Sequence, residues 1–184
     1  MRKIINSSYI SLDGVIDRPH EWPSVGSRGS KGDEIQAELL FSCDTLIMGR
    51  RTYEGFAPVW PTRSDPYSDH INAIRKYVVS STLTDPEWNN TSVISGDPVA
   101  EIERLKAAPG KDIVQYGFGQ LSFALLEHGL LDELRLWVHP LFVGRAEPGE
   151  LMYRDFAGAM FDLGDTAVLD NGIVILSYRY ARAA

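Results

Sequence analysis

The chain has 184 residues, enough for one domain with a sizeable core and short for two. With 44% hydrophobic and 23% charged residues it has a globular rather than a disordered balance, and a net charge of -7 lacks the basic footprint of a nucleic-acid binder. No stretch approaches the ~18–20 apolar residues of a membrane span, and with one cysteine, Cys43, no intrachain disulfide can form, so a soluble, cytoplasmic domain over residues 1–184 is expected.

Residues 2–10 read as a strand that ends at the turn Ser11-Leu12-Asp13-Gly14. Residues 15–32 are irregular, with Pro19, Pro23, Gly26, Gly29 and Gly32, and so long a loop suggests a segment that covers a ligand. A helix is expected over residues 31–42, with Ile35, Leu39 and Leu40 at helical spacing and Asp33 and Glu34 at its start. Strands follow at 45–48, stopped by Gly49, and at 76–80, ending in Ser80-Ser81-Thr82. An amphipathic helix spans 98–107, a third short strand 112–116 ends in Gly117-Phe118-Gly119, and a helix runs over 120–128. In residues 133–138, Leu134, Leu136 and Val138 alternate with Glu133, Arg135 and Trp137. Two last strands, 161–169 and 172–180, flank the hairpin signal Asp170-Asn171-Gly172. Helix-separated strands followed by hairpin strands predict an α/β fold, a mainly parallel sheet with antiparallel additions at its edge.

Three of these strand ends carry small or basic residues, and ligands of open α/β sheets bind beyond the carboxyl ends of strands. Gly119 would admit a pyrophosphate close to the backbone, where a Cβ would hold it off. The pattern is only G-x-G, so a plain strand-to-helix turn explains it equally well. Arg50 and Arg51 put two cations in the first turn of a helix, where the dipole prefers anions, and a bound phosphate would offset that cost. Ser80, Ser81 and Thr82 add hydroxyl donors, which together with a guanidinium suit a 2′-phosphate; a polar turn is the alternative.

For proton chemistry the candidates are Asp13, Asp17, Asp33 and Glu38, with Asp33 placed best to face a pocket if partly buried. Asp13 could equally make its turn, and Trp22 could wall a flat substrate or anchor its loop. His20, His70, His128 and His139 have no ligand spacing, so no metal site is expected.

In order and spacing, several segments resemble the dihydrofolate-reductase-like family, in particular the bacterial branch that includes the reductase domain of riboflavin biosynthesis. They are residues 11–17 (Ser11-Leu12-Asp13-Gly14-Val15-Ile16-Asp17), 46–54 around Gly49-Arg50-Arg51-Thr52, 78–82, 117–121 (Gly117-Phe118-Gly119-Gln120-Leu121), 129–136 and 140–144. The resemblance implies a three-layer sandwich with a mainly parallel central sheet, antiparallel C-terminal strands and flanking helices. It implies NADPH as cofactor, with Gly49, Arg50, Arg51, Thr52, Ser80, Ser81, Gly117, Gly119, Gln120 and Leu121 around its phosphates and Val15 and Ile16 beside the nicotinamide. Asp33 corresponds by spacing to the substrate-binding acid, and Asp13, Trp22, Tyr53 and Phe56 would line the substrate. The implied activity is hydride transfer to a C=N or C=O of a small heterocyclic or sugar-bearing molecule, by a homodimer in which residues 134–143 contribute an edge. The alternative is a nicotinamide-nucleotide-binding protein with little turnover. The chain departs from the folate enzymes in residues 24–32, which are glycine- and serine-rich rather than proline-rich. It departs from the riboflavin branch after Gly144, where Arg145-Ala146-Glu147-Pro148 replaces a glycine-rich stretch, so the substrate stays open.

Overall fold

The computed structural model describes residues 1–144, 146–153 and 158–181; Arg145, in the segment after Gly144, lies outside them, as does the end of the expected 1–184 domain. Eight strands form one sheet: β1 (Ile4–Ser11), β2 (Cys43–Gly49), β3 (Arg75–Val79), β4 (Thr91–Ile94), β5 (Asp112–Tyr116), β6 (Glu133–His139), β7 (Phe161–Val168) and β8 (Val174–Tyr180). Their order is β4-β3-β2-β5-β1-β6-β8-β7. The first six are parallel, and β8 and β7 add antiparallel beyond β6.

Among the described residues five α-helices complete the layers: α1 (Gly29–Phe41), α2 (Arg50–Phe56), α3 (Pro66–Ala73), α4 (Pro98–Ala107) and α5 (Gln120–Glu127). Leu39 and Leu40 of α1 and Ile71 of α3 pack with Leu46 and Met48 of β2 on one face. Ile102 and Leu105 of α4 and Leu121 and Leu125 of α5 pack with Ile47 on the other. Alternate residues of β2 thus enter different cores, as a sheet covered on both faces requires. The expected sandwich is the observed one.

Four local expectations are corrected. The helix after the long loop begins at Gly29, not near residue 31, so Asp33 lies beyond its first turn. Trp137, expected among polar residues, is buried with Leu169, Ile173 and Ile175 because the second face of β6 is also covered. Strand β6, expected at an edge, lies inside between β1 and β8, and the edges are β4 and β7. Helix α3 and strand β4 were not anticipated. Asp65 caps α3 by accepting from Tyr67 N and Ser68 N, each at 3.0 Å, with Pro66 at the first helical position.

Candidate functional site

Parallel pairing aligns Gly49 with Val79, which brings the ends of β2 and β3 side by side. The Arg50 guanidinium donates to Glu54 Oε1 at 2.6 Å and to the Thr82 hydroxyl, tying α2 to the turn after β3. In that turn Ser80 Oγ accepts from Thr82 N (3.2 Å) and Leu83 N (3.0 Å), while Ser81 is exposed. Arg51 extends into solvent, 3.8 Å from Asp17 of the long loop. Two cations and several hydroxyls therefore share one rim, and the pairing with Glu54 offsets part of the electrostatic cost of Arg50.

The end of β5 adjoins this rim. Gly117 has φ +78°, a left-handed conformation that favours glycine, and a Cβ there would overlap Thr52 Oγ1 of α2. Gly49 and Gly119 have nothing within 4 Å of where a Cβ would stand, so the backbone at both positions opens onto free space. Gly119 is extended (φ 176°) and leads into α5, whose first residue Gln120 is exposed and whose second, Leu121, turns its side chain into the core. A shallow cradle of backbone, hydroxyls and guanidinium groups at three neighbouring strand ends fits the phosphates of a dinucleotide.

Val15 and Ile16 occupy the neighbouring loop. Val15 is buried and bridges Leu151, and Ile16 N donates to Glu150 O at 2.9 Å. Val15, Trp22, Leu141 and Phe142 line a cavity of about 290 Å³ beside the end of β6, with Asp17, Glu21 and Glu150 around Arg18 at its rim. A larger cleft of about 430 Å³ lies at the opposite end of the sheet, around Lys76 and Trp88. Its Lys76 Nζ is spent on the carbonyls of Ile71, Asn72 and Ile74.

Three of the expected substrate residues make contacts within the protein, two of them hydrogen bonds. Asp13 accepts from Ser11 Oγ (2.5 Å), Gly144 N (2.8 Å) and Val143 N (3.2 Å), which lowers its carboxyl pKa and ties β1's turn to the segment after β6. Tyr53 Oη accepts from Glu87 N at 2.9 Å. Trp22 is buried and meets His139 edge-on at 5.4 Å while also lining the cavity beside β6. Phe56 alone of the four joins an aromatic wall, against Trp60 (5.7 Å) and Tyr116 (5.8 Å).

Asp33 is largely exposed and accepts from Arg28 Nε at 2.6 Å. Arg28 Nη1 in turn donates to Tyr9 Oη at 2.9 Å. It is Gln36, one turn further along α1, that enters the interior, beside Ser7 Oγ at 3.3 Å. Nearby the Tyr67 and Tyr116 hydroxyls lie 3.0 Å apart. Burial pushes Tyr67 up to about 12 and Tyr116 well above its ordinary value, so both stay neutral donors and acceptors. The sequence reading missed Tyr9, Arg28, Gln36, Tyr67 and Tyr116; a signal was present in Tyr9 and Tyr116, polar-tipped aromatics at the carboxyl ends of two adjacent strands. Among the described residues no group of three or more His, Cys, Asp or Glu gathers as a metal site would, and no helix is long and apolar enough to cross a membrane.

Residues 2–174 match the family model of the RibD C-terminal domain. Two curated relatives from Bacillus subtilis, YyaP and YwjB, are each 27% identical; the first alignment covers 97% of this chain and 95% of the relative, the second 80% and 82%. Among solved structures, a putative riboflavin biosynthesis protein from Shewanella sp. PV-4 superposes with a TM-score of 0.73 at 21% identity, covering 99% of this chain and 100% of that one. A pyrimidine reductase-like protein from Corynebacterium diphtheriae gives 0.71 at 13% identity, covering 99% and 93%. RibD of Acinetobacter baumannii gives 0.68 at 14%, covering 99% of this chain and 59% of that one. At these identities the structures show the shared fold.

Proposed function

The chain belongs to the RibD C-terminal domain family, and from that premise we propose that it is an NADPH-dependent reductase acting on a C=N or C=O bond of a small heterocyclic or sugar-bearing molecule. The observation that carries this reading is the convergence of Gly49, Arg50, Ser80 and Thr82 with the Gly117 turn at three neighbouring strand ends. Arg50 and Ser81 would hold the 2′-phosphate, while Gly49, Thr52 and the backbone from Gly117 to Leu121 would hold the pyrophosphate. When bound, NADPH supplies the hydride. The protein's share is orientation and exclusion of water, with the loop around Val15 and Ile16 covering the nicotinamide side.

Phe56, Tyr67, Tyr116 and Gln36 supply an uncharged, largely aromatic group with hydrogen-bonding tips, suited to a neutral heterocycle. Asp33 enters through Arg28, which it neutralises and orients toward Tyr9, and our proposed proton source is Asp33 in its protonated form or a water adjacent to it. The exposure of Asp33 is also what favours the second reading, a nicotinamide-nucleotide-binding protein with little turnover.

Titration with NADPH, followed by nicotinamide fluorescence, tests the cofactor assignment, and absence of any change sinks both readings. Oxidation of NADPH across a panel of pyrimidines, pterins and small carbonyl compounds supports the reductase; binding without oxidation supports the second reading.

We further propose a homodimer through the outer part of the sheet. Cross-strand pairs place Leu136 and Leu176, Leu163 and Tyr178, and Val168 and Val174 on one face, with Leu163 and Val168 more than half exposed. A second copy would cover this strip. Light scattering on the eluting protein should give twice the chain mass, and a monomer mass across micromolar concentrations removes the proposal.

A further inference from the structure

Two amides stand where apolar side chains would pack. Asn6 of β1 and Gln115 of β5 are register partners and are both fully buried. Their strand neighbours of the same phase, Ile4 and Ile113, belong to the core formed with α4 and α5. An unpaired amide in such a place is costly, so its hydrogen bonds decide whether it is tolerated.

Those bonds form a directed row. Ser8 Oγ donates to Asn6 Oδ1 at 2.7 Å. Asn6 Nδ2 donates both to Gln115 Oε1 and to the Gly117 carbonyl, each at 2.9 Å. Gln115 Nε2 donates to Ser122 Oγ at 3.0 Å, and the same hydroxyl oxygen accepts from Gly119 N at 3.3 Å. Ser8 and Ser122 are buried as well.

The two ends of the row that touch backbone touch the same turn. Asn6 draws the Gly117 carbonyl inward, and Ser122 draws in the Gly119 N–H. Because a trans peptide sets its C=O and N–H antiparallel, the inward Gly117 carbonyl directs Phe118 N–H away from Asn6. It also removes a carbonyl oxygen from the surface that a phosphate would meet. Gly117 is left-handed at φ +78°, a conformation open to glycine among several, and the bonds from Asn6 and Ser122 select the one observed.

We infer that the buried row of Ser8, Asn6, Gln115 and Ser122 sets the shape of the turn at residues 117–119, making Asn6 and Gln115 positioning residues for a nucleotide diphosphate. The inference rests on the cofactor reading above for the identity of the ligand, and on the hydrogen bonds alone for control of the turn. Neither amide reaches the ligand; each acts through the backbone. An amide pair retained only to fix strand register would change stability without discriminating among ligands.

The test compares the unaltered protein with Asn6→Leu and Gln115→Met, using NADPH and adenosine 2′,5′-bisphosphate, which carries the 2′-phosphate but no diphosphate bridge. Each variant should weaken NADPH about tenfold, the loss of roughly one net hydrogen bond, and leave the bisphosphate within about twofold of its original affinity. Amide hydrogen exchange at residues 117–119 should quicken while that of α4 stays unchanged. Equal losses for both ligands, or unchanged exchange in the turn, overturn the inference. If either variant fails to fold, Ser8→Ala, which removes only the hydroxyl that orients Asn6, should still give a two- to threefold NADPH effect and faster exchange in the turn. Failure of the unaltered protein to bind NADPH overturns the cofactor reading and the diphosphate role together, and the exchange rates then decide whether the row holds the turn.

Discussion

Replacing Arg50 and Ser81 together by alanine is expected to raise the dissociation constant for NADPH about 100-fold while changing that for NADH less than about threefold. The 2′-phosphate is a dianionic group with several acceptor oxygens, and a charge-assisted hydrogen bond contributes about 1.5–3 kcal/mol. Losing two contacts at the low end of that range gives about 3 kcal/mol, or two decades of affinity. The low end applies because the Arg50 side chain is 47% exposed and shares its charge with Glu54. Ser81 is the right partner for the double change, since Ser80 Oγ already accepts two backbone N–H bonds and its removal would disturb the turn itself. The NADPH effect should shrink as salt rises, whereas NADH binding should barely respond. Fluorescence titration at two ionic strengths measures both, and equal weakening of the two dinucleotides removes the 2′-phosphate from this rim.

The strand ends were legible because glycine, arginine and serine stand where a buried strand stops, and a stop is a strong local signal. The bounds of α4 and β5 were also readable, an amphipathic helix opening at Asp97-Pro98 and a short strand closed by Gly117. What escaped had too little local pattern. Strand β4 has four residues at an edge, and α3 carries its apolar residues Tyr67 and Ile71 on a single turn interval behind an Asp65-Pro66 start. Trp137 misled because Leu169, Ile173 and Ile175 cover its end of the face that β6 shares with Glu133 and Arg135, so that face changes from polar to buried along the strand.

Asp33 is a lesson in phase. A shift of the helix start to Gly29 leaves Gly32 and Gln36 on the buried face, and Asp33 beside them on the exposed one. Asp33 therefore meets the interior through Arg28 and Tyr9 and not through its own burial. Asn6 and Gln115 gave a fainter sign, one amide in each of two strands, and only their mutual pairing and the bond to Gly117 give them a role.

His139 should make the protein acid-sensitive in a definite window. It is fully buried at the end of β6, between the Trp22 and Tyr9 rings, with Nδ1 2.7 Å from Ser24 Oγ. Burial, aided by the nearby Arg28 guanidinium, holds its pKa down at about 4, against about 6.5 in an unfolded chain. Between those values the unfolded state binds the proton and the folded state does not, so stability falls as pH drops from about 6.5 to 4 and is flat in this respect below and above. A difference of about 2.5 units corresponds to roughly 3 kcal/mol. Urea midpoints for the unaltered protein and His139→Gln, taken from pH 7 down to 4, should diverge in slope by that amount, with the variant less stable at pH 7 and flatter. Parallel profiles would show that His139 does not carry the effect. Because Trp22 and Ser24 both belong to the loop that carries Val15, a proton on His139 must first release that loop. Loop release then precedes global unfolding, and a change in tryptophan emission that is absent from His139→Gln should appear at a pH where the far-ultraviolet circular dichroism is still native.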